Sequence, residues 1–238
     1  MRFWLADSLQ SHVNASNINR GISNKEDGMD RSEKFTEDLE LLVSKLSQDM
    51  QGKARESLVR LKGRLFELHR SNVVKINHSV MELVCAKPLI LKGYEVEVEY
   101  QLDGALTCDL YATKGDGSLV VEIETGFIPP EHALDPSTYL FARISSKITR
   151  YSNYAGKFAL GVPPHYVLPI PKVLLMPPRD RTSEDLNTLK NICDLYYKSP
   201  PVTLDEVKNA RLHTVYLIDV DNVAVLEIDP ETYVKKID

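Results

Sequence analysis

Asp109, Glu122 and Glu124 stand inside the stretch "TCDLYATKGDGSLVVEIETG", residues 107–126, which otherwise reads as two apolar strands around a tight turn. Strand interiors disfavour Asp and Glu, and a buried carboxylate is costly unless something compensates its charge. The turn residues decide where the acids point. With Gly115-Asp116 as a two-residue loop, Lys114 faces Gly117 and Asp109 lies opposite Glu122. With Asp116-Gly117 as the loop, Asp109 lies opposite Glu124. Either register puts all three carboxylates on one face, because Glu122 and Glu124 differ by two. Opposed like charges destabilise a sheet. A bound Mg²⁺ or Mn²⁺ removes that penalty, since these ions take one or two carboxylates together with water and phosphate oxygens. Such a site lowers the pKa of a bound water and stabilises an in-line phosphoryl displacement. The plainer reading is a solvent-facing acidic strand face, backed by apolar Cys108, Leu110, Ala112, Leu119, Val121 and Ile123 on the other side. Tyr111 and Val120 share the acidic face, which argues against full exposure. A carboxylate pair for glycoside hydrolysis is the third alternative, with little aromatic sugar-stacking surface to accompany it.

The next segment, "STYLFARISSKITRYSNYA", adds cations. Arg143, Lys147, Arg150 and Tyr154 recur at helical spacing and share one face, beside an apolar stripe of Leu140, Ile144, Ile148 and Tyr151. A sheet-packed helix with such an edge can hold a phosphate backbone or a scissile phosphate. The alternative is an ordinary edge of snorkelling side chains.

The elements that must position these residues follow from the periodicity. Residues 1–32 are polar and aperiodic and predict a poorly ordered arm. Residues 33–72 predict a helical segment: Leu39, Leu42, Val43 and Leu46 on one helix, Leu58, Leu61, Leu65 and Leu68 on the next, with Gly52 between. Residues 73–238 predict an α/β domain. A helix from about Val74 to Ala86 ends near Pro88 and Gly93. In "YEVEVEYQL", Tyr94, Val96, Val98 and Tyr100 take one face and Glu95, Glu97 and Glu99 the other, a half-exposed strand. Asp103-Gly104 turns the chain into the carboxylate hairpin. The basic helix follows, with Ser137 as its expected N-cap, then the strand "KFALGV", a proline-rich connection, a helix over 183–197, and a last hairpin across Asp221-Asn222. The fold class is α/β on a mixed sheet flanked by helices.

Bulk properties narrow the function classes. The chain has 238 residues and a formal net charge of −5, which disfavours non-specific coating of nucleic acid. Its basic residues instead concentrate in two zones, Lys53–Lys75 and Arg143–Arg181. No apolar run reaches the roughly 18 residues of a membrane span, and the N-terminus lacks a signal-peptide core. Cys85, Cys108 and Cys193 show no C-x-x-C spacing and read as reduced thiols of a cytoplasmic protein; no two histidines have zinc-ligand spacing on a helix.

Asp109 followed by Glu122-Ile123-Glu124 resembles the motif of the PD-(D/E)XK nuclease superfamily: an acidic residue ending one strand, then (Asp/Glu)-X-Lys on the next, in an αβββαβ restriction-endonuclease-like core. The element order from about Val74 to Val162 is similar. "VEIETG" followed by "KITRYSNYA" looks most like the nucleases of spindle-shaped archaeal viruses and related crenarchaeal plasmids. The N-terminal helices and the C-terminal hairpin lie outside the resemblance. It implies a DNA nuclease dependent on Mg²⁺ or Mn²⁺, structure-directed and not sequence-specific, acting inside the host cell if viral. Asp109, Glu122 and Glu124 would be metal ligands, with Glu124 as ligand or water-positioner. Glu124 stands where the family has lysine, so Lys147 is assigned that role, with Lys157 as second choice. The family's glutamate on the first core helix is assigned to Glu82, with Glu67 as second choice. Arg143, Arg150, Tyr151 and Lys157 would contact DNA or brace the helix. Related nucleases often act as homodimers, for which the leucine-bearing N-terminal helices offer a surface. The alternatives are a catalytically inactive DNA-binding or assembly protein on the same fold, or a purely structural viral protein.

Overall fold

A computed structural model describes residues 31–104 and 106–237; the expected N-terminal arm lies outside the described residues apart from its last two positions, which open the first helix. Three helices come first: α1 (Arg31–Leu46), α2 (Gly52–Arg70) and α3 (Ile76–Leu91). Three antiparallel strands follow, β1 (Glu95–Asp103), β2 (Leu106–Lys114) and β3 (Gly117–Ile123). Then come α4 (Pro136–Tyr151), β4 (Lys157–Val162), a single-turn α5 (Lys172–Leu175), α6 (Ser183–Tyr196), α7 (Leu204–Asn209), β5 (Thr214–Asp219), β6 (Ala224–Ile228) and α8 (Pro230–Ile237). The six strands form one mixed sheet in sequence order, with β4 parallel to both β3 and β5.

Two apolar clusters sandwich this sheet. The leucines of α1 and α2 pack with α3 against Val96, Val98, Leu110, Leu119, Val121 and Ile123. On the other face Ile144 and Ile148 of α4 pack with Val120, Phe158, Leu160 and the helices of the second crossover. Leu39, Leu46, Leu58 and Leu65, which the sequence offered as a dimer surface, are therefore used inside the chain's own core. Among the described residues, no helix is long and apolar enough to cross a membrane.

Several boundaries differ from expectation. The third helix does not stop before Pro88 but runs through it to Leu91. Proline removes one N–H and opposes the carbonyl four residues back, yet Leu89 and Ile90 beyond it are buried, and that burial holds the extra turn. Gly93, at φ +83°, ends the helix: its N–H donates to Ile90 O (2.9 Å) and Tyr94 N–H to Leu89 O (3.0 Å), a Schellman closure. The N-cap of α4 is Asp135, not Ser137; its carboxylate accepts from Thr138 N–H, and Pro136 fills the first helical position, where no N–H is needed. Sequence reading missed α7 and α8, although "TLDE" carries a full capping box between Thr203 and Glu206.

The departure that matters most lies in β1. Val96 and Val98 are buried and Glu95 and Glu97 exposed, as alternation requires, but the pattern breaks at Glu99, which adopts φ +47°. Its flanking pairs are Val98–Leu110 and Tyr100–Cys108, so Glu99 lies across from Asp109. Beyond this point Tyr100 and Cys108 belong to the α4-side cluster, while Val98 and Leu110 belong to the α1–α3 side. Glu99 is thus not part of a solvated face but is half-buried beside Asp109.

Candidate active site

The β2–β3 register is the one set by a Gly115-Asp116 loop, with Lys114 opposite Gly117 and the last backbone pair at Leu110–Val121. Past that pair the strands part. Two side chains replace the ladder: Asp109 N–H donates to Glu122 Oε1 (3.1 Å), and Ile123 N–H donates to Asp109 Oδ2. β3 meanwhile stays paired to β4, and Glu124 N–H donates to Gly161 O at 2.8 Å. Gly161 allows close packing here: a Cβ would lie 2.7 Å from Ile218 Cδ1, which would have to shift. The result is a fork between β2 and β3 with carboxylates in its mouth.

Helices on both faces of the sheet reach the fork. From α4, Lys147 Nζ lies 2.8 Å from Glu122 Oε2 and 2.7 Å from Glu124 Oε1, and also donates to Ile123 O (3.2 Å). One turn earlier Arg143 Nε donates to both oxygens of Glu124, at 3.1 and 2.8 Å. Glu124 is therefore held by two cations. From α3 come Glu82, fully buried, and His78, whose Nδ1 lies 3.5 Å from Asp109 Oδ1. One ligand atom each from His78, Glu82 and Asp109 falls within 4.8 Å of the others. Both carboxylate oxygens of Glu82 are buried without a hydrogen-bond partner among the described residues.

The electrostatics split the acids into two groups. Burial pushes Glu124 up, but Lys147 and Arg143 outweigh it and hold the group below the ordinary carboxylate range. Asp109 is likewise held low, by Lys147 and His78 against the effect of burial. Burial, reinforced by the Asp109 charge, lifts Glu122 to about 8 and Glu99 to about 7. It also raises Glu82 well above its usual range, with Asp109, Glu99 and Glu122 adding repulsion. Lys147 stays firmly charged because Glu122 and Glu124 more than offset its own burial.

Five carboxylates, Glu82, Glu99, Asp109, Glu122 and Glu124, thus face Lys147, Arg143 and His78. The residues fit a divalent cation: an orphaned buried carboxylate, a second carboxylate and an imidazole converge. Carboxylate oxygens suit hard divalent cations, and imidazole suits transition metals.

Of the residues named from sequence, Asp109, Glu122, Glu124, Lys147 and Glu82 come together, but not as the expected ligand set: Asp109 groups with Glu82 and His78, whereas Glu122 and Glu124 are paired with Lys147 and Arg143. The second choices do not join them. Lys157 is exposed at the start of β4, three residues before the partner of Glu122, and Glu67 is exposed beside Arg64. Arg143 sits at the site as the partner of Glu124. Arg150 and Tyr151 act as braces: Arg150 donates to Tyr197 O (3.3 Å) and Pro200 O, and the Tyr151 hydroxyl donates to Thr107 O (3.0 Å). His78 and Glu99 were missed. His78 and Glu82 are four apart on a helix, a spacing visible in the sequence once a His–Glu pair is sought and not only a His–His pair. Glu99 carried no such signal, because its alternation with valines marked a solvated face.

No family model matches the sequence, and no curated protein matches it. Among solved structures, the chain is similar to the "CdiA-CT/CdiI toxin and immunity complex from Burkholderia pseudomallei", at 16% identity over 65% of this chain and 86% of that one, with a TM-score of 0.26.

Proposed function

We propose that the chain is a divalent-cation-dependent deoxyribonuclease that hydrolyses phosphodiester bonds at the β2–β3 fork. The observation that carries this reading is the convergence of Asp109, Glu82 and His78, with Lys147 locked between Glu122 and Glu124. The α3-β1-β2-β3-α4-β4 order around it is similar to the αβββαβ core of PD-(D/E)XK nucleases, which supports Lys147 in place of the missing motif lysine.

Asp109, Glu82 and His78 would hold the cation, which when bound polarises a phosphoryl oxygen and acidifies a water. Lys147 presents a fixed ammonium, charged at neutral pH, toward the charge that builds on the phosphate oxygens. Arg143 grips Glu124, and Glu124 in turn fixes Lys147, so this pair positions the ammonium. Glu122 joins the two halves of the site: one oxygen accepts from Asp109 N–H and the other meets Lys147.

The test is cleavage of plasmid, single-stranded and branched DNA with Mg²⁺ or Mn²⁺ by wild type and Asp109→Ala. Cleavage that requires the cation and is lost in Asp109→Ala is expected. Cleavage that survives Asp109→Ala overturns the reading. A second reading is a DNA-binding protein without catalysis, favoured by the salt bridges that hold Lys147 on both sides. Its signature is metal-independent DNA binding with no cleavage by wild type.

A further inference from the structure

Glu99 carries three energetic penalties that the chain offsets only in part. Its φ of +47° lies in the left-handed region, which a residue with a Cβ enters at a cost. It is half-buried, so its carboxylate has lost part of its hydration. Its place in the strand pairing is opposite Asp109, a second carboxylate, and like charges across a strand pair repel. Among the described residues the Glu99 carboxylate accepts no hydrogen bond, and His78, Lys147 and Arg64 act on it only as charges at a distance. Glu82 is in a similar state: fully buried, both oxygens unpartnered among the described residues, and repelled by Asp109 and Glu99. Two unpartnered carboxylates thus accompany Asp109, and only the inner one, Glu82, groups with Asp109 and His78 closely enough to share an ion.

We infer that Glu99 is an outer ligand of the fork's cation, holding a water that the ion coordinates, an inference that rests on the cation reading of this site. His78, Glu82 and Asp109 bring ligand atoms within 4.8 Å of one another, and Glu99 stands outside that group, so a carboxylate one water further out fits its position. A hard divalent cation with few protein ligands keeps several waters, and those waters need acceptors. Glu99 also lines the solvent-open groove between α2 and β1, from which water reaches it. On the α4 side, by contrast, the Lys147 ammonium is held between Glu122 and Glu124 and repels a cation. A dication next to Asp109 turns the repulsion between Asp109 and Glu99 into shared attraction, and a bound water gives Glu99 the hydrogen bond it lacks. The left-handed backbone then has a role: it takes Glu99 out of the exposed row of Glu95 and Glu97 and leaves it half-buried beside Asp109. An outer carboxylate of this kind is a positioning residue, and losing one lowers metal affinity by about 10–100-fold.

The test reads Mn²⁺ binding by the full chain without DNA. Protein freed of metal is titrated with MnCl₂, and unbound Mn²⁺ is counted from its electron paramagnetic resonance signal. Glu99→Gln keeps the size of the side chain and removes its charge, and should weaken Mn²⁺ binding by about 10–100-fold. Glu99→Asp keeps a carboxylate and suits the left-handed backbone, and should retain more of the affinity than Glu99→Gln. Glu97→Gln, exposed two residues away, should bind Mn²⁺ as wild type does. Thermal unfolding in EDTA separates a ligand from a structural prop. Without metal, Glu99→Gln relieves the repulsion from Asp109, so its midpoint should match or exceed that of wild type, and Glu99→Gly, which also relieves the backbone, should exceed it. Unchanged Mn²⁺ affinity in Glu99→Gln, an equal loss in Glu97→Gln, or a lower midpoint of Glu99→Gln in EDTA overturns the assignment. Wild type that takes up no Mn²⁺ overturns it together with the cation reading. The nuclease reading fails separately, if Mn²⁺ binding depends on Glu99 as expected and no DNA is cleaved.

Discussion

Replacing Glu82 by methionine should make the metal-free protein more stable and the metal-bound protein less so. Glu82 is fully buried on α3, and its two oxygens accept no hydrogen bond among the described residues. Burial and the neighbouring carboxylates push its pKa well above the ordinary value, so the substitution removes an unsatisfied carboxyl group from the core. Leaving such a group unpaired costs about 1–3 kcal/mol, and methionine has similar length and adapts to irregular gaps. The expected gain in EDTA is therefore about 1–3 kcal/mol, or roughly 2–12 °C in midpoint at about 2–4 °C per kcal/mol for a chain of this size. In Mn²⁺ the order should reverse: wild type gains about 2.7 kcal/mol at a hundred times its Kd, and the variant gains less because a ligand is gone. Thermal unfolding with EDTA and with Mn²⁺ reads both effects. A variant less stable than wild type in EDTA, with an undiminished response to Mn²⁺, would refute the assignment of Glu82 as a carboxylate kept for a ligand.

Other perturbations test the supporting structure. Lys147→Met removes the ammonium that Glu122 and Glu124 share and leaves Glu124 with Arg143 alone, and should cost about 1–3 kcal/mol by urea unfolding; a near-neutral result would mean that the ammonium is not needed to hold the fork. Gly161→Ala places a methyl against Ile218 and Ile123 in a filled core, with an expected loss of about 1–3 kcal/mol and reduced cleavage, because Glu124 hangs on the Gly161 carbonyl. His213 Nδ1 accepts from Phe158 N–H (3.1 Å), and burial, with Arg211 and Lys157 nearby, holds its pKa below the ordinary value. The unfolded chain then binds the extra proton first, so stability contributed by His213 is intact above about pH 6.5 and declines as pH falls below it. The difference in urea midpoint between wild type and His213→Gln should shrink from pH 7.5 to 5.5, values chosen to straddle that pKa of about 6.5; a constant difference would contradict the neutral-acceptor role.

Much of the fold is legible in local chemistry. The Gly115-Asp116 turn sets a register that puts Asp109 against Glu122, and the 3.6-residue spacing of Arg143 and Lys147 puts both on the side of α4 that reaches them. What local patterns do not carry is competition between elements. Pro88 is outweighed by the burial of Leu89 and Ile90, which no window around the proline reveals. Glu99 reads as solvated because it alternates with valines, and only the parting of β2 from β3 shows why β1 must twist there. His78 joins the site because α3 crosses the sheet at the fork, a tertiary fact, although its spacing from Glu82 is plain in the sequence.

The central claim is that the fork holds a cation between the two helical layers. Anomalous scattering from crystals of the full chain equilibrated with Mn²⁺ tests it most directly. A peak is expected in contact with Asp109, Glu82 and His78, and it should vanish in Glu82→Met crystals under the same conditions. An empty fork at millimolar Mn²⁺, or a peak that survives the loss of Glu82, would contradict the account.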